Sequence, residues 1–171
     1  MISAEPPTFD ADALLAANVN PATYLATDYL NHFNEAVMLL GLAADMPDML
    51  DEVRGWEPRS YRRHFAESGF QGRDLAISAY DASPPRIRAR FEATIAEIDT
   101  LLLVTIDTLA NMANDDPRFA FEAADAVKAL HALIDRASGI VNGVDAGAPV
   151  DVEEADPNAA QNAIDALFDA A

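Results

Sequence analysis

Apolar residues recur along this chain at helical spacing, in three long stretches. Leu25, Tyr29, Phe33, Ala36, Val37 and Leu40 fall at i, i+4 and i+7/8 intervals, the stripe of a helix with one face in a core. Asn20-Pro21 supplies a cap and a first-turn proline, so this stripe predicts a helix from there to about residue 44. A second stripe, Ile87, Phe91, Ile95, Ile98, Leu102, Thr105, Leu109 and Met112, follows Ser83-Pro84-Pro85 and predicts the longest helix, over about 84–113. A third follows Asp116-Pro117 and runs through Phe119, Ala123, Ala126/Val127, Leu130, Leu133/Ile134, Ala137 and Ile140 to about 141, with Gly143 just past it.

Shorter helical pieces are expected at 10–17, 47–54, 58–68 and 73–81, with Gly55 and Gly69 as left-handed stops and Gly72 ahead of the last. No segment alternates apolar and polar residues as a strand does. The predicted fold is all-α: an elongated helical bundle over 10–142 with short Arg-rich helices laid across it, preceded by a loose arm at 1–9. Residues 143–157 are acidic, contain Gly and Pro and carry no stripe, which reads as a flexible acidic linker. Residues 158–171 return to helical spacing with Ile164, Leu167 and Phe168 on one side.

At 171 residues, with 51% of them apolar, the chain is one domain with an appendage. The absence of cysteine excludes disulfides, zinc–thiolate sites, iron–sulfur clusters and a thiol nucleophile. The net charge of −18 argues against nucleic acid as a partner. No basic start precedes an apolar leader, and the run Leu101-Leu102-Leu103-Val104 is far short of the roughly 20 residues of a membrane span, so a cytoplasmic protein with no membrane partner is expected.

The charge is segregated. Residues 1–53 hold nine acids and no Lys or Arg, residues 54–90 hold eight arginines against four acids, and residues 137–171 hold seven acids and no base. The middle block either neutralises acids of its own fold or offers a surface to a partner. Trp56, Arg59, Arg62 and Arg63, where aromatics interleave with arginines, are the second interface candidate, the alternative being that the aromatics cover one end of the bundle.

Two His-x-x-Glu pairs, His32/Glu35 and His64/Glu67, suggest a metal-binding helical bundle holding Fe, Mn or Zn, as the alternative to a chain with no cofactor. His131 lacks the following Lys and Gly of a phosphotransfer site.

The tail carries the most specific motif. Gln161-Asn162-Ala163-Ile164-Asp165-Ala166-Leu167-Phe168 resembles the segments by which CheZ-type chemotaxis phosphatases and flagellar motor switch proteins dock the response regulator CheY. Ala160 stands where those segments have Ser, and Ala163 where an acid precedes the Ile. The resemblance implies a CheY-like receiver as partner, gripped through Gln161, Ile164, Asp165, Leu167 and Phe168; the alternative is that this helix packs back on its own bundle. It also implies CheZ-like phosphatase activity, which needs an acid and a water-orienting amide; Asp107-x-x-x-Asn111, on one face of the longest helix, is the nearest arrangement and supplies the catalytic candidates. A homodimer is a further expected partner state.

Overall fold

The computed structural model describes residues 5, 7–113 and 115–144. Among them the chain is all-α: helices α1 (Ala11–Ala16), α2 (Asn31–Asp45), α3 (Leu50–Val53), α4 (Tyr61–Glu67), α5 (Arg73–Ala82), α6 (Pro85–Ala110) and α7 (Phe119–Val141), with short 3-10 turns at Thr27–Leu30 and Pro47–Met49. No strand occurs there beyond one isolated bridge between Val19 and Ala26. No described helix is long and apolar enough to cross a membrane. Residues 145–171, where the linker and docking helix are expected, lie outside the described residues, as do 1–4 of the arm. Phe9, at the arm's end, sits edge-on against Tyr24.

The three stripes form the centre of the core, to which Leu14, Leu50, Val53, Tyr61, Phe65, Ala76 and Ala79 of the shorter helices add. Phe33, Ala36, Val37, Leu40 and Ala43 of α2 are buried, as are Phe91, Ile95, Ile98, Leu102 and Leu109 of α6 and Phe119, Ala123, Leu130, Ile134, Ala137 and Ile140 of α7. Helix α7 packs along both α2 and α6, and α4 and α5 pack on each other. Interdigitated apolar stripes supply most of the stability of such helices, which are marginal by propensity alone.

The boundaries depart from the sequence reading where a side chain does a backbone's work. The helix expected from Asn20 begins at Asn31. Asn20 Oδ1 does accept from the Ala22 and Thr23 amides at 2.8 and 3.2 Å, but it closes a turn, not a helix. Tyr24 then takes a left-handed φ of 60°, a conformation uncommon for a residue with Cβ. Reciprocal bonds hold it there: Asn20 N–H to the Leu25 carbonyl and Tyr24 N–H to the Asn20 carbonyl, both 2.8 Å. Leu25 and Tyr29 are buried all the same.

Gly55 and Gly69 are not left-handed stops; among the described glycines only Gly143 has a positive φ, of 69°. Ser68 ends α4 by donating its hydroxyl to the Phe65 carbonyl at 2.7 Å, and Trp56 N–H turns back to the Val53 carbonyl at 2.9 Å after α3. Neither ending requires positive φ. Gly72 opens α5 because of crowding: a Cβ there would lie 2.7 Å from Phe70 Cε1 and 2.9 Å from Ala17 Cβ.

Ser83 is not the cap of α6, whose N-cap is Pro84. Its hydroxyl donates instead to the Thr23 carbonyl at 2.7 Å, while the Thr23 hydroxyl donates to the Val141 carbonyl at 2.5 Å. Both residues are buried. This chain of two bonds ties the 20s turn to the end of α7 and to the α5–α6 joint. Thr23→Val removes the donor and leaves the Val141 carbonyl without it. A loss of about 1–2 kcal/mol is expected in urea denaturation, at unchanged m-value; an unchanged midpoint would mean the node is decorative.

Candidate functional site

The site grows from the way α4 is started and faced. Ser60 caps it, its hydroxyl accepting from the Arg63 amide at 3.1 Å. The sequence Tyr61-Arg62-Arg63-His64-Phe65 then turns Tyr61 and Phe65, four apart, into the core and leaves Arg62 and Arg63 outside. Tyr61 accepts the Ala26 amide on its hydroxyl at 2.9 Å, and Tyr29 donates its own hydroxyl to the Arg59 carbonyl at 2.6 Å. The two rings lie 5.2 Å apart, and Tyr61 stacks on Tyr80 at 4.3 Å. Tyr80 donates to Glu92, and Arg62 and Arg88 sit over its ring. Burial pushes the Tyr29, Tyr61 and Tyr80 phenols up, so all three stay protonated and act as hydrogen-bonding groups only.

Above these tyrosines a cleft of about 320 Å³ opens between the Pro58–Ser60 segment, α5 and α6. Phe91, Ile95 and Ala96 give it an apolar wall, and Asp99 stands at the same wall. Asp99 Oδ1 is closed off from water and has no hydrogen-bond partner. Burial raises the Asp99 carboxyl to about 6. Sequence reasoning passed over this residue, although the signal was present: Asp99 falls four after Ile95 and three before Leu102, on the edge of the buried stripe of α6.

The histidines meet beside this site. His32 stacks on Trp56 at 5.0 Å, Trp56 Nε1 donates to the His32 carbonyl at 3.1 Å, and the His32 and His64 rings are 6.5 Å apart. His32 Nε2 lies 2.9 Å from the Glu57 carbonyl; a carbonyl only accepts, so that nitrogen carries the proton. Burial lowers both pKa values, and His32 lowers His64 further.

The alternative metal set is not assembled. Glu67 is taken instead by Arg63, four residues before it on α4, at 2.8 Å and by Arg59 at 3.5 Å. Glu35 is on the exposed side of α2. Among the described residues no group of three or more His, Asp or Glu is placed to hold a metal.

The second interface candidate is divided. Trp56 is half-buried against His32 and Phe33. Arg62 pairs with Asp81, and Arg63 with Glu67 and Glu57. Arg59 lies 3.5 Å from Glu67, near enough for an ion pair, although its Nε makes no hydrogen bond. With Arg54–Asp51 and Arg88–Glu92, much of the basic block meets acids of its own fold. Such exposed pairs contribute little stability each.

Asp107 and Asn111 are exposed at the end of α6, where Asn111 is the C-cap; its side-chain amide donates to the Asp107 backbone carbonyl at 2.8 Å and not to a carboxylate. Gln161, Ile164, Asp165, Leu167 and Phe168 lie outside the described residues. No protein-family model, curated protein or solved structure significantly matches the chain.

Asp99 and the histidine pair make stability depend on pH with opposite signs. The Asp99 carboxyl titrates at about 6 in the native state and near 3.9 when unfolded, so the native state holds the proton more tightly and gains stability as pH falls through that window. Asp99→Asn should raise Tm at pH 7.5 by about 2–4 °C, corresponding to about 1 kcal/mol after allowance for its partial exposure. The gain should fall away as pH drops from about 7 and be gone below about pH 3, where Asp99 is neutral in both states. His32 and His64 have native values below the unfolded value of about 6.5, so their contribution is present above that pH and lost as pH falls through it. In thermal melts between about pH 7 and 5, replacing both by Gln should flatten the acid-side loss; an unchanged slope would place its origin elsewhere.

Proposed function

We propose that the chain is a protein–protein interaction module of bacterial chemotaxis or motility signalling, cytoplasmic, which docks a CheY-like response regulator through its C-terminal segment. The observation that carries this reading is the run Gln161 to Phe168, which keeps Gln161, Ile164, Asp165, Ala166, Leu167 and Phe168 of the docking segments it resembles. Ile164, Leu167 and Phe168 fall at i, i+3 and i+4, the spacing by which a short helix lays apolar anchors in a groove. The acidic stretch before it keeps such an anchor in water, and tethering raises its effective concentration near anything the body binds.

Docking without turnover is the reading we hold. A CheZ-like phosphatase needs an amide free to orient water, and the Asn111 amide is turned back on its own helix.

The test is a calorimetric titration of the full chain with a phosphorylated CheY-type receiver, with light scattering to read whether one chain or a homodimer engages it. Saturable binding is expected, and Leu167→Ala combined with Phe168→Ala should weaken it at least about 30-fold, the effect of removing a central anchor. Absence of binding at high micromolar receiver, or an affinity indifferent to the double variant, would contradict the reading.

A further inference from the structure

The cleft over Tyr29 is built in a way that the tail reading does not use. Two of its hydroxyl protons are given away, Tyr29's to the Arg59 carbonyl and Tyr80's to Glu92, while the Tyr61 and Ser60 hydroxyls accept from the Ala26 and Arg63 amides. Glu92 is thereby occupied at the rim. With Arg59 drawn to Glu67 at 3.5 Å, the acid left on the wall is Asp99, with no hydrogen bond and no ion pair among the described residues, and with one oxygen shut away from water. A carboxylate left in that state is costly unless something supplies a donor and a charge.

We infer that this cleft is a binding site for a small protonated amine, whose N–H groups meet the Asp99 carboxylate while its hydrocarbon part lies against Phe91, Ile95 and Ala96. The other ligand classes fit less well. An anion would face Asp99 and Glu92, and the guanidinium of Arg59, which could receive it, is drawn to Glu67. A neutral molecule leaves the charge uncompensated. A bare metal ion finds no set of three His, Asp or Glu side chains among the described residues. A quaternary ammonium brings charge but no N–H. The volume, about 320 Å³, is at the small end of ligand pockets, which span about 300–1,000 Å³. The net charge of −18 raises the local concentration of cations at the surface.

The test is calorimetric titration of the full chain at pH 7.5 with butylammonium and phenethylammonium, against their neutral and anionic counterparts, 2-phenylethanol and 3-phenylpropionate. One or both amines should bind saturably, at least about tenfold more tightly than the alcohol, with no binding of the carboxylate. Asp99→Asn should weaken the amine about 30-fold and leave the alcohol unchanged; its own melting curve shows that it folds. Ala96→Phe, on the exposed side of the same wall, should block both amine and alcohol by filling the cleft. No saturable amine binding up to about 10 mM, equal affinity for amine and alcohol, or an affinity unmoved by Asp99→Asn would each overturn the inference. None of these readouts depends on residues 158–171, so the docking proposal stands or falls separately.

Discussion

Two buried tyrosines hold the centre of this molecule by exchanging hydrogen bonds with each other's backbone neighbourhood. Tyr61, on α4, receives the amide of Ala26; Tyr29, three residues beyond Ala26, gives its proton to the carbonyl of Arg59, two before Tyr61. Each ring is thus fixed to the segment that carries the other, and Phe91 of α6 packs against both. A buried amide and a buried hydroxyl that would be expensive to leave unpaired are satisfied in one stroke. Through them the Arg-rich short helices are attached to the three-helix core as a polar-locked layer as well as an apolar one.

That lock has a consequence for the cleft it floors. Tyr29 is the phenol whose titration feels Asp99, and its only proton is already given to the Arg59 carbonyl. Tyr29 therefore has no proton to offer the acid beside it. The same economy of partners runs through the neighbourhood: Glu67 goes to Arg63 and Arg59, Asp81 to Arg62, Glu92 to Tyr80. In a chain with 29 acids against 11 Lys and Arg, cations run out before carboxylates do. What distinguishes Asp99 is its position on an apolar wall, with one oxygen closed off from water.

The periodic part of the fold was legible because it obeys one rule. Most residues that the spacing of 3.6 assigns to the three stripes are buried; Ile87, Met112, Ala126, Val127 and Leu133 are only half-buried, and Leu25 and Tyr29 lie ahead of α2. What was not legible lay where long-range partners decide. Asn20 performs the amide-accepting role of a helix cap, yet Tyr24 turns left-handed and Ala26 gives its amide to Tyr61, a residue 35 positions away that no local rule anticipates. Ser83 reads as a cap and serves Thr23 instead, across 60 positions. The His-x-x-Glu pairs show the converse: the local spacing is real, but which way α4 faces was set by Tyr61 and Phe65, and that sent His64 inward and Glu67 outward. Asp99 stands at the edge of the α6 stripe, where spacing alone does not separate a solvent-facing acid from one on an apolar wall.

Asp99 is a carboxylate that its own fold leaves without a partner, and its titration in the unliganded chain reads this most directly. Carboxyl-carbon NMR of the chain labelled at aspartate, assigned by comparison with Asp99→Asn, should show one resonance with a midpoint at about 6. A midpoint near the ordinary aspartate value of about 3.9 would mean that Asp99 is solvated or paired after all, and that the cleft is a surface dent with no recognition built into it.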